Sequence, residues 1–142
     1  MVNQILAGGA TSLVNLVIHA LLMGVLLKLM LGMLERGAVG PEFLRYTVII
    51  VAAGSVLGAG HFLEVLLWAY TYAAVGAAPP GTDLVYFAFA NYTTLGYGDV
   101  LPAEGWHLLA PMTALNGIML IGWSTALIFA ILRRSVPDIE KR

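Results

Sequence analysis

The chain is 142 residues long, with 60% hydrophobic residues, 11% charged residues and a mean hydropathy of +0.88, whereas soluble domains carry about a quarter charged residues. It reads as an integral membrane protein, and because each spanning helix takes about 20 residues, one membrane domain accounts for the whole of it. A formal net charge of −1 gives no reason to expect nucleic acid as a partner, and the absence of cysteine excludes disulfides and thiolate metal sites.

No basic residue precedes Lys28, so the first apolar run lacks the positive start of a cleavable signal peptide and is expected to remain as a helix. It is predicted to span from Ala10 to Leu34; a second span runs from Tyr46 to Val75 and a third from Trp106 to Leu132, each bounded by Gly, Pro or charge. Gly54 and Gly58 stand at small-xxx-small spacing and are expected to pack against another helix. Trp68, Tyr70, Tyr72 and Trp106 are the expected aromatic belt at the outer interface, while Asn15, Asn116 and Ser124 are expected to hydrogen-bond between helices.

Glu64 lies deep in the second span, where an unpaired carboxylate is costly. Its eleven residues from Val75 amount to ~16 Å, and the nine from Ala10 to His19 to ~14 Å, so the two side chains share a depth. His61 sits one turn from Glu64 on the same face. Two readings stay open: a structural hydrogen bond from Glu64 to the re-entrant helix or to Trp68, and a modulatory cluster of His61, Glu64 and His19 in which protonation or a bound divalent ion tunes activity.

Between the second and third spans lies "GAAPPGTDLVYFAFANYTTLGYGDVLPAEG", too short and too polar to cross. Pro79, Pro80 and Gly81 make a turn, Thr82 or Asp83 can cap a helix start, and "LVYFAFANYT" supplies about ten residues of helix. Irregular backbone at membrane depth is tolerated only where it packs in protein or faces water, so this re-entrant segment implies a water-filled path. Placing the N-terminus outside puts all seven basic residues, Lys28, Arg36, Arg45, Arg133, Arg134, Lys141 and Arg142, at cytoplasmic helix ends, with Lys28 snorkelling. Asp83, Asp99 and Glu104 then ring the outer mouth, where cations collect.

A dehydrated monovalent cation needs oxygens to replace its water, and an extended strand with carbonyls aligned can supply them. Gly96 and Gly98 permit that backbone, Thr94 adds a hydroxyl, and Tyr97 can brace the strand from behind. "TTLGYGD" resembles the selectivity-filter signature of tetrameric potassium channels, with Leu95 in place of the commoner Val or Ile. The order of short helix, filter, Pro102 and a helix containing "NGIMLIGWSTA" is similar to the small bacterial channels with a two-helix pore, over residues 46 to 134. The resemblance implies that Thr94, Leu95, Gly96, Tyr97 and Gly98 line the ion path, that K⁺ sits at Thr94, Leu95, Gly96 and Tyr97, and that Asp99 stands at the rim. Tyr86 and Phe87 occupy the places of aromatics that cuff the filter, and Ala90 stands where some members carry a carboxylate, which leaves Asp99 without that partner.

By the same resemblance, Gly117, Ile118, Ile121, Gly122, Thr125 and Phe129 belong to the cavity and gate, Phe129 being the candidate constriction; Gly117 and Gly122 also fit simple close packing. No helix carries Arg or Lys at every third position, so no voltage sensor is expected. Only "SVPDIEKR" follows the last span, and no ligand-gating module is expected in the chain. The first helix, an addition to the two-helix pattern, is expected to pack peripherally on the second. The expectation is an all-α membrane protein of three transmembrane helices with a re-entrant pore helix and filter loop, divided into residues 1–45 (extra helix and loop), 46–134 (pore domain) and 135–142 (tail). It is expected to be a homotetramer in the lipid bilayer of the plasma (cell inner) membrane, with no cofactor beyond permeant K⁺ and no enzymatic activity. A nonselective cation channel and a non-conducting regulatory subunit are the alternatives; a metalloenzyme on His61 and Glu64 would leave the filter unexplained.

Overall fold

The structure, a computed structural model, describes residues 1–35 and 42–135, which form four α-helices: α1 (Val2–Glu35), α2 (Glu42–Val75), α3 (Leu84–Tyr92) and α4 (Leu109–Ser135). The stretches Val2–Met30, Tyr46–Val75 and Leu109–Arg133 are long and apolar enough to cross a bilayer. Arg36, Lys141, Arg142 and the tail from residue 136 lie outside the described residues.

Helix α1 begins eight residues before the expected start at Ala10. The polar Asn3 and Gln4 do not end it: the Gln4 Oε1 atom accepts a hydrogen bond from the Leu108 backbone N–H at 2.8 Å, joining the start of α1 to the start of α4. At the other end of the second span, α2 stops at a glycine in left-handed conformation, Gly76 with φ 64°. Ala77 N–H donates to Tyr72 O at 2.9 Å and Gly76 N–H to Ala73 O at 3.2 Å, the paired bonds of a Schellman motif, with the following residue Ala77 fully buried. Asp83 then caps α3, its side chain accepting from Val85 and Tyr86 N–H at 3.0 and 3.1 Å.

Helices α1 and α2 run antiparallel in a register set by Thr11 Oγ1 against Thr71 Oγ1 at 2.8 Å and His19 against Glu64 at 2.8 Å. The expectation that α1 packs peripherally on α2 is corrected: α1 also lies along α4. A Cβ on Gly8 would meet the Met112 side chain at 2.7 Å, and Asn15 Nδ2 donates to Asn116 Oδ1 at 3.0 Å. One apolar cluster gathers around α3, with Val65, Trp68, Tyr72, Phe87, Tyr92 and Leu109, and a second at the opposite end joins Leu26, Met30, Ile49, Leu57, Leu127 and Ile131. Buried polar groups lie between them: Asn15, His19, Glu64, Asn116 and Ser124.

Two packing expectations change with this arrangement. Trp68 and Tyr72 are fully buried rather than in an interfacial belt, because α3 folds back over their side of α2. Trp68 Nε1–H donates to Asn116 Oδ1 at 2.9 Å, and Tyr72 packs on Phe87 with ring centroids 4.8 Å apart while its hydroxyl meets Thr113 Oγ1 at 2.7 Å. Tyr70 is exposed and Trp106 half-buried. Gly54 and Gly58 have no neighbour within 4 Å of a built Cβ, so neither is a packing contact within the described chain; the close approach of α1 falls at Gly60, where a Cβ would overlap the Leu22 side chain.

Candidate functional site

The heptad TTLGYGD leaves α3 through a second Schellman motif. Thr94 N–H donates to Asn91 O at 3.0 Å and Leu95 N–H to Ala90 O at 2.9 Å, which puts Thr94 at the left-handed position that α2 fills with glycine. Thr94 has φ 59°, and no other non-glycine among the described residues has a positive φ. A β-branched residue held there stores roughly 1–3 kcal/mol of strain, and such strain clusters at functional sites. Gly96 and Gly98 follow at φ 51° and 78°, conformations open to glycine without that cost.

Thr93 to Asp99 are all exposed, Leu95 to 52% and Tyr97 to 72%, so the surface that would brace Tyr97 is not supplied by the described part of its own chain. The far end is tied down. Asp99 Oδ2 accepts from the Tyr86 hydroxyl at 2.8 Å, and Ala103 N–H donates to Ala77 O at 2.8 Å. Ala90 offers Asp99 no carboxylate, and the partner that Asp99 has is the hydroxyl of Tyr86, on the first turn of α3. That bond to Asp99 holds the Tyr86 phenol above its ordinary value. Phe87, expected beside Tyr86 in a cuff, is buried instead against Tyr72.

On α4, Ile118, Ile121, Gly122, Thr125 and Phe129 are exposed together on a face that the chain's own helices leave open, with Phe129 62% exposed. Gly117 departs from that face. It is buried against the end of α3, where a Cβ would overlap the Tyr92 carbonyl oxygen, so its close-packing role is met. Gly122 has open space around it.

Beyond the end of α3, side chains from all four helices join one hydrogen-bonded network around Glu64. Glu64 Oε1 pairs with His19 Nδ1 at 2.8 Å, and Oε2 with His61 Nδ1 at 2.9 Å and with the Tyr92 hydroxyl at 2.5 Å. His61 Nε2 meets Ser124 Oγ at 2.9 Å, and His19 Nε2 approaches the same oxygen at 3.4 Å. The imidazoles stack with centroids 5.3 Å apart. Glu64 thus bonds α3 through Tyr92 and both histidines beside it, while Trp68 bonds Asn116 instead. Sequence reasoning missed Tyr92, because nothing local distinguishes it from the other tyrosines of the loop.

An ion-channel family model matches residues 60–134, just over half of the chain. The chain belongs to that family. The match covers the end of α2 that carries His61 and Glu64, all of α3, the filter heptad and nearly all of α4, so the expected likeness to two-helix potassium-channel pores holds over this part of the channel. With three helices able to span, the channel is a multi-pass membrane protein. No curated protein and no solved structure shows a significant match to it.

Proposed function

We propose that four copies of the chain surround a central pore and conduct K⁺ passively, with Thr94, Leu95, Gly96, Tyr97 and Gly98 lining the path and Asp99 at its rim. The observation that carries this reading is the segment from Thr94 to Gly98, which leaves the end of the short helix α3 with left-handed backbone at Thr94, Gly96 and Gly98 and stays uncovered in the single chain. One chain contributes one such segment, and a ring of carbonyl oxygens around an ion takes several. The exposed face of Ile118, Ile121, Gly122, Thr125 and Phe129 fits a water-filled cavity below the filter, closed by dewetting at Phe129. Residues 46–134 act as the pore domain and α1 as an added helix.

Orientation follows from charge. Lys28 and Arg133 lie toward one end of the helices and Asp83, Asp99 and Glu104 toward the other, which favours an outside N-terminus and a cytoplasmic C-terminus in the plasma membrane. The test is flux through purified protein in liposomes, with K⁺ compared against Na⁺ and barium as blocker. K⁺ preference with barium block supports the reading. Equal passage of Na⁺ makes it a nonselective cation channel, with Leu95 the first residue to revert to Val. No flux makes it a subunit that conducts only beside another chain.

A further inference from the structure

We propose that His19, His61 and Glu64 form a binding site for a divalent transition cation of the zinc class. One ligand atom from each lies within 4.8 Å of the others, and the three come from two helices, α1 and α2. The donor set, two imidazole nitrogens and a carboxylate, is the mixture that suits zinc and its neighbours. Ca²⁺ and Mg²⁺ demand six or more oxygens, and among the described residues the side-chain oxygens hydrogen-bonded in this cluster are the two of Glu64 and one each of Tyr92 and Ser124.

The distances favour this assignment. Ligands about 2.0–2.1 Å from a tetrahedral ion stand ~3.3 Å from one another. His19 Nδ1 and His61 Nδ1 lie 2.8 and 2.9 Å from different Glu64 oxygens, so these pairs open by about half an ångström while the wider separations, within 4.8 Å, close toward ~3.3 Å around the ion. The Tyr92 oxygen, 2.9 Å from His61 Nδ1 and bonded to Glu64 Oε2, borders the site.

Proton positions also fit. Without an ion, each Nδ1–H can donate to Glu64. When the ion takes both Nδ1 atoms, each neutral imidazole keeps its one proton on Nε2. Both Nε2 atoms face the Ser124 oxygen, at 2.9 and 3.4 Å, which accepts and so fixes ring orientation and tautomer from α4. A carboxylate buried within a membrane-spanning helix carries a charge that a bound cation offsets. Entry is through His61, whose side chain is 20% exposed while His19 and Glu64 are sealed.

The site is tested by metal binding, which is read without conduction and so stands apart from the conduction reading. Purified protein is stripped with chelator and equilibrated with Zn²⁺, and bound metal is counted per chain. One Zn²⁺ per chain is expected, unchanged in His107→Ala, whose histidine is exposed outside the cluster. Ser124→Ala should weaken binding by about 10–100-fold, and His61→Asn and Glu64→Gln by more, with the same elution volume as the wild type. Co²⁺ in the wild-type protein should show the strong visible absorption of a tetrahedral site, a readout that needs no variant to fold. Absent stoichiometric Zn²⁺, weak six-coordinate Co²⁺ absorption, or equal affinity in His61→Asn overturns the site and leaves a hydrogen-bonded network.

Discussion

Gly117→Ala tests whether the approach of α4 to α3 sets the filter. A Cβ at this position would overlap the Tyr92 carbonyl oxygen, fall 2.9 Å from its carbonyl carbon and 3.1 Å from its Cγ. The obstacle is backbone, so no rotamer change relieves it, and restoring ordinary contact at about 3.5 Å or more moves the helices apart by on the order of 1 Å. Overpacking of this kind costs about 1–3 kcal/mol, here in every copy. Tyr92 is the last residue of α3 and stands two before Thr94, so the displacement enters the filter directly. At 1.4 kcal/mol per decade, the equilibrium constant that favours the native loop over a displaced one falls roughly 5- to 150-fold. The assay is K⁺ flux in liposomes normalised to assembled protein, together with thermal stability in detergent. Gly24→Ala, on an exposed face of α1 with nothing within 4 Å, is the control and should stay within about 0.5 kcal/mol or gain slightly from better helix propensity. Wild-type flux and stability in Gly117→Ala would refute the claim that this contact positions the filter.

Phe129→Ala should raise open probability in single-channel recordings, and unchanged gating would move the gate to the filter. Tyr86→Phe removes the hydroxyl that Asp99 accepts from, and flux or its decay should change at neutral pH. Because the bond raises the Tyr86 phenol above its ordinary 10.0, the protonated, bonded form persists through neutrality and is lost as pH climbs past the raised value. In strong alkali the wild type alone should change, because the phenol ionises there, loses the proton it donates and sets a second negative charge beside Asp99; the same alkaline profile in Tyr86→Phe would assign the effect to something other than this contact. Asp83→Ala removes the cap of α3 and should lower thermal stability by about 1 kcal/mol, while Asp83→Asn should retain most of it.

Local chemistry made much of this protein legible without a structure. Lipid demands long apolar helices, so the three spans follow from composition; the turn at Pro79 to Gly81 and the cap at Asp83 mark the short helix; and the heptad TTLGYGD carries its own backbone requirement in Gly96 and Gly98. The depth match of His19 and Glu64 was also visible by counting residues along two helices, although α1 begins earlier than its apolar run indicates. What stayed hidden was the rotation of each helix about its axis. In a membrane both the lipid face and the packed face are apolar, so periodicity does not say which residues turn inward. Only the tertiary structure therefore turned Trp68 and Tyr72 inward, chose Gly60 and Gly117 over Gly54 and Gly58 for close approach, gave Asp99 its partner in Tyr86, and brought Tyr92 to Glu64 and Ser124 to His61. Those outcomes depend on contacts between residues distant in the chain, whereas the spans, the cap and the filter depend on neighbours a few positions apart.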